Sequence, residues 1–155
     1  MRKSDLGLLL LRVGSGGVLA VHGAPKLFGG TGKVPPPWLE KLAGPNYKQS
    51  WEQGGPENFG AALAKMGIPN PKVGAQLSGI AELGGGIGIA LGAATPLASA
   101  VVTANMAVAI RKAHWKMGLY GQGGFEFPLV MALAFVAIGI SGPGSISVDR
   151  LFGRA

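Results

Sequence analysis

The chain has 155 residues, of which 48% are apolar, 28 are glycine and 14% are charged, with a formal net charge of +7 and no cysteine. Apolar residues and glycine together make up about two thirds of it, against about 45–50% in a soluble domain, which excludes an ordinary soluble domain and an intrinsically disordered chain. The missing cysteines exclude disulfide frameworks, thiolate nucleophiles, CxxC redox chemistry and thiolate metal sites, and the positive charge fits loops facing anionic lipid better than a nucleic-acid surface.

Charges are unevenly placed. Residues 6–28 carry only Arg12 and Lys26, residues 73–110 only Glu82, and residues 127–148 none. About 20 helical residues cross a bilayer. The pattern therefore predicts an all-α protein, a four-transmembrane-helix bundle with spans at about 5–28, 72–92, 96–113 and 126–142 in a single domain over 1–155. Met1-Arg2-Lys3 resembles the basic start of a leader, but Arg12 interrupts the apolar run and no A-x-A site follows, so the first span is read as retained. The stretch 73–110 is long enough for two spans. Its break is expected at Gly92-Ala93-Ala94-Thr95-Pro96, with glycine ending one helix and Thr95 capping the next.

Residues 29–71 form the long connection. Pro37 starts a short helical piece at Trp38–Leu42, stopped by Gly44-Pro45, and a second piece runs from Pro56 to Met66. The favoured reading is a pair of short interfacial helices with Trp38 and Trp51 as interface anchors; the sharper alternative is a lid over a site. Gly84, Gly88 and Gly92 recur every four residues and read as a helix-packing seam. They do not make a dinucleotide loop, because Leu91 stands where a third glycine is needed and no strand precedes the helix. The loops on one side carry nine cations, Arg111, Lys112 and Lys116 among them. The termini carry four: Arg2, Lys3, Arg150 and Arg154. This favours cytoplasmic loops.

Ionisable groups at membrane depth cost about 2.5–3.5 kcal/mol each on insertion scales, so each needs a reason. At 100° per residue, Arg12, Ser15, His22 and Lys26 fall within an arc of about 80°, one polar stripe facing the bundle. Pro25 is a candidate kink just before Lys26. Arg12 lies about 21 Å from Lys26 along its helix, and Glu82 about 16 Å from Pro71. If Lys26 and Pro71 mark one face, Arg12 and Glu82 share a depth and form a structural polar pair, with Asn105 close enough to join it. His22, Lys26, Glu82 and Glu126 are the candidate ligand-binding residues, suited to a quinone head group or a small anion. Arg111, Lys112 and Lys116 read as helix ends snorkelling to the interface. No local ligand spacing points to a metal, and Ser15 lacks a nucleophile-elbow context.

These residues resemble the DoxX family of small four-helix membrane proteins. Leu11-Arg12-Val13-Gly14 with His22-Gly23-Ala24-Pro25-Lys26-Leu27-Phe28-Gly29 is similar to the family's R…HGxxKLFG pattern. So are Lys65–Pro69 to its Gly-x-Pro turn, Glu82–Gly86 to E-L-x-G-G, Gly123–Leu129 to GGxExPL, and Gly142-Pro143-Gly144 with Ser147 and Asp149 to GPGxxSxD. The connection 29–71, with Pro35-Pro36-Pro37 and two tryptophans, is longer than usual. The resemblance implies an integral protein of a bacterial or archaeal-type inner membrane, associated with redox complexes. Relatives are described as subunits of a thiosulfate:quinone oxidoreductase and as membrane partners of oxidative-stress enzymes. It carries Arg12, His22, Lys26, Glu82 and Glu126 over as the candidate site.

Two readings result. In the first, the chain is an accessory subunit of a membrane redox complex. It holds a quinone or similar lipophilic ligand in its polar interior, and its electrons come from a partner because it has no haem or flavin motif. In the second, it is a structural or assembly subunit with no ligand of its own. Other membrane subunits and lipid are the expected partners, nucleic acid is not, and a transporter is a weaker third option.

Overall fold

The computed structural model describes residues 3–153, and every described element is helical. Arg2 and Arg154, counted above among the terminal cations, lie outside the described residues. The chain runs through α1 (Lys3–Phe28), α2 (Pro37–Ala43), α3 (Tyr47–Glu52), α4 (Gly55–Lys65), α5 (Pro71–Leu91), α6 (Thr95–Ala109), α7 (Glu126–Ser141) and α8 (Val148–Leu151). A π turn (Ile110–His114) and a 3-10 turn (Trp115–Met117) extend α6. By length and composition α1 suffices to cross a membrane, while α7 is apolar over 16 residues. The chain divides into two compact units, and the division falls inside α1 and α5.

One unit comprises the described residues up to Leu19 and those from Gly85 onward. Its core joins Leu19, Ile89, Val102, Met106, Phe135 and Ile138 from four helices. Small residues set the helix spacing: a Cβ on Gly85 would strike the Val102 side chain, and one on Gly88 would come 3.3 Å from Ala98 Cβ. The turn between α5 and α6 falls where its sequence indicates. Ala93 N–H donates to Gly88 O (2.8 Å) and Gly92 N–H to Ile89 O (3.1 Å), with Gly92 at φ +66°. These paired bonds form a Schellman C-cap, whose left-handed residue favours glycine. The expected Thr95 cap is absent. Ala94, left-handed at φ +47°, occupies the cap position without a side-chain bond to the helix, and the cap comes from a distant carboxylate.

The other unit spans Ala20–Gly84. Its cluster is Ala24, Leu39, Tyr47 and Trp51, with Val21 and Leu83 against it. The connection therefore packs through α2 and α3 onto the end of α1. Trp51 is buried at the centre of this cluster rather than serving as an interface anchor; Trp38 is 68% exposed. The reason is local to Pro25. Proline lacks the N–H that would bond Val21 O, and the helix nevertheless continues to Phe28. Tyr47 Oη donates to that freed carbonyl at 2.9 Å, so α3 is docked by the acceptor the proline leaves open. Burial holds the Tyr47 phenol neutral, with its pKa pushed up to about 12. On the surface of this unit Lys72 and Glu57 pair at 2.9 Å, and that bond holds the Glu57 carboxyl below its usual range.

Candidate functional site

Within the Ala20–Gly84 unit, three of the four expected ligand residues come together. Lys26 Nζ lies 2.6 Å from Glu82 Oε1 and 3.4 Å from Ser78 Oγ. It also stands 4.7 Å from the centroid of the Phe59 ring, a cation–π distance. Glu82 is 3% exposed, whereas the Lys26 side chain keeps 24% of its surface open. His22, one turn before Lys26 on α1, is close enough to interact with the charges of both Glu82 and Lys26. Two glycines permit this approach of α1 and α5. A Cβ on Gly23 would strike Leu83 N, and one on Gly79 would come 2.6 Å from Leu27 Cγ. Chemically the arrangement offers an ammonium, a buried carboxylate, an imidazole and an aromatic face. Those groups can hold a polar head group and exchange a proton with it. Phe59 was not among the residues singled out for the site; its place one helical turn from Leu63 in an amphipathic piece gave the signal, but it points at Lys26 only in the folded chain.

Glu126 is not part of this group. It opens α7 in the other unit, where it is exposed, and its backbone N–H donates to Leu119 O at 3.0 Å.

Arg12 and Glu82, expected to pair, are each engaged inside their own unit. Glu82 takes Lys26. Arg12, 1% exposed, donates through Nη1 to Pro143 O and through Nη2 to Ile146 O (2.6 Å). The guanidinium fork suits two carbonyls of one turn, which a depth argument along single helices cannot foresee. The same turn brings in Asp149, 5% exposed. Its Oδ1 accepts from Ala94 N–H (2.7 Å), its Oδ2 from Thr95 N–H (2.8 Å), and its own N–H donates to Gly92 O (2.9 Å). A carboxylate at a helix N-terminus satisfies orphan amides and complements the helix dipole. The Gly142–Asp149 segment thus acts as a clamp, fastened to α1 by Arg12 and to the α5–α6 turn by Asp149. Ser147 caps α8, its Oγ accepting from Arg150 N–H at 3.2 Å. Asn105 stands half-buried on α6.

The expected glycine seam is uneven. Gly88 meets Ala98, and Gly92 leaves room for the Arg12 guanidinium and Ser147, but Gly84 faces open space. Gly85, one residue on, makes the close approach to α6 instead.

Among the described residues no three His, Asp or Glu side chains gather as a metal-ligand set. Curated proteins and solved structures give no match to the chain. The DoxX family model matches residues 7–115, a range that includes Arg12, His22, Lys26 and Glu82, runs through the long connection, and stops short of Glu126 and the Gly142–Asp149 clamp. That range is 109 of the chain's 155 residues (115 − 7 + 1), and the chain belongs to the DoxX family, a family of membrane proteins with redox-associated roles.

Proposed function

We infer that this protein is an integral membrane subunit of a redox complex, and that Lys26, Glu82 and His22 form its site for a lipophilic, proton-exchanging ligand of the quinone class. Polarity supports the integral reading, because it is inverted relative to a soluble protein. Large apolar side chains stand exposed on each long helix, such as Leu10 (65%), Leu77 (61%), Leu97 (67%) and Ile140 (83%), while Arg12, Glu82 and Asp149 are buried. Such a surface suits lipid, and the buried charges suit a chain that must satisfy every polar group internally. Lengths are compatible with four crossings. At 1.5 Å per residue α1 and α5 exceed about 30 Å, α6 reaches a similar length with its π turn, and α7 reaches about 24 Å.

The observation that carries the ligand reading is the Lys26–Glu82 pair. A carboxylate as buried as Glu82 is costly within a membrane-spanning helix, and its ion pair is a poor source of stability, so its presence calls for a use. The residues fit a quinone: Lys26 can donate to a carbonyl oxygen, Glu82 and His22 can take or supply a proton, and Phe59 can stack on a ring. The quinone would supply two-electron redox chemistry; this chain would bind it, orient it and manage the proton.

The test is to purify the protein gently and analyse bound quinone, then measure thermal stabilisation by an added short-chain quinone. The expected result is bound quinone in the wild type and loss of stabilisation in Glu82→Gln. A wild type with neither bound quinone nor stabilisation overturns the ligand reading.

One observation favours the assembly reading instead. Lys26 already directs its ammonium at Glu82, Ser78 and Phe59 together, which is what a purely structural clasp between α1 and α5 would do. Under that reading Glu82→Gln lowers folding or assembly, and any complex that still forms is fully active.

A further inference from the structure

We propose that the turn following α6, residues 110–120, is a preformed binding site for the head group of an anionic phospholipid. The proposal rests on the membrane reading above. The α-helical pattern stops at Ala109 and a π turn takes over at Ile110–His114, followed by the 3-10 turn and Gly118 at φ +80°. The i→i+5 pattern of a π turn widens the helix end and spreads the side chains it carries. The π turn carries Arg111 and Lys112, and the 3-10 turn carries Lys116; all three are exposed. Beside them Trp115 is 57% exposed and Tyr120 85% exposed.

The segment is held in shape from several sides. Phe125 N–H donates to Gly118 O and Glu126 N–H to Leu119 O, both at 3.0 Å. His114 Nδ1 lies 2.8 Å from Gly123 O, and the Trp115 ring stacks on Phe125 with centroids 5.5 Å apart. The cations are therefore presented by a braced loop, which lowers the ordering cost of binding.

Charge and polarity together identify the occupant. Between Glu82 and Asp149 the chain has one carboxylate, Glu126, against Arg111, Lys112 and Lys116. A phosphodiester matches those cations. The apolar Leu119, 53% exposed, and the amphipathic rings of Trp115 and Tyr120 need an acyl boundary beside the phosphate, which a nucleic acid or a free anion does not offer.

The test uses the full-length protein in nanodiscs of equal phosphatidylglycerol and phosphatidylcholine, with retained lipid counted by native mass spectrometry. The wild type should retain phosphatidylglycerol in preference. Each of Arg111→Gln, Lys112→Gln and Lys116→Gln should lower that preference about fivefold, the equivalent of one cation near an anionic surface. A charge-matched control, Lys33→Gln with Lys41→Gln and Lys65→Gln, should leave it unchanged. Three results would overturn the proposal: equal retention of both lipids, equal losses in the control and in the variant that combines Arg111→Gln, Lys112→Gln and Lys116→Gln, or a preference abolished by excess inorganic phosphate, which would indicate a free-anion site. Failure of the membrane reading is read separately, as release of the chain from membranes by alkaline carbonate.

Discussion

Removing the two partners of the Lys26–Glu82 pair should have unequal costs, because the two are unequally buried. At 2.6 Å and an effective dielectric of about 20 the gross attraction is about 6 kcal/mol. Desolvation of two ions offsets most of it, so the pair adds little to net stability. Breaking it from one side is different. Lys26→Met leaves the Glu82 carboxylate, 4% exposed at its side chain, facing an apolar neighbour. The cost should approach the lower end of the range of about 3–5 kcal/mol for breaking a buried pair from one side, because His22 remains near the carboxylate. Glu82→Gln leaves an ammonium that is 24% exposed and can rehydrate, and keeps an amide oxygen in place; about 1–2 kcal/mol is expected. The double change Lys26→Met with Glu82→Leu should return close to wild type. Thermal unfolding in detergent reads all three, with the fluorescence of buried Trp51 reporting on the same unit. At about 2–4 °C per kcal/mol for a chain of this size, the Lys26→Met shift is about 6–12 °C. Equal losses for the two single variants, or a Lys26→Met loss below about 0.5 kcal/mol, would refute the burial argument. The double variant also separates the two functions: if it folds and assembles but the complex turns over normally, the polar pair is a clasp and not a ligand site.

Other outcomes follow from the same geometry. Asp149→Ala should cost about 3 kcal/mol, since two amides at the start of α6 lose charge-assisted partners, and hydrogen exchange should accelerate at Ala94 and Thr95. Tyr47→Phe strands the Val21 carbonyl and should cost about 1–2 kcal/mol in thermal unfolding. Because the folded Tyr47 pKa is raised from 10.0 to about 12, the wild type should hold its full stability below pH 10 and lose up to about 2–3 kcal/mol as pH rises to about 12. Solvent screening brings this nearer 1 kcal/mol, and Tyr47→Phe should lack that alkaline step. Gly23→Ala should be destabilising by at least 1–3 kcal/mol, as its Cβ meets the backbone at Leu83 and Glu82, whereas Gly84→Ala has open space and should be neutral or stabilising by about 0.5–1 kcal/mol; melting temperatures of the two variants check the contrast.

The sequence by itself determined the helices and most of their limits. Proline at 37, 71 and 96, glycine at 44, 67 and 92, and the long uncharged runs act within a few residues, so α1, α5, α6 and α7 start and stop close to the expected spans. Local signals also placed His22 and Lys26 on one face of α1. They missed α3, whose six residues Tyr47–Glu52 carry no cap or period strong enough to read, and which is held by the acceptor left open at Val21. The partners of the buried charges were decided only by tertiary structure. Arg12 lies 131 residues from Pro143, Asp149 caps a helix 54 residues before it, and Glu82 reaches back 56 residues to Lys26. Two groups at equal depth on neighbouring helices satisfy a one-dimensional argument equally well. Which of them meet depends on helix rotation and on backbone carbonyls freed at chain turns, and neither is encoded within a few residues of the side chain that needs a partner.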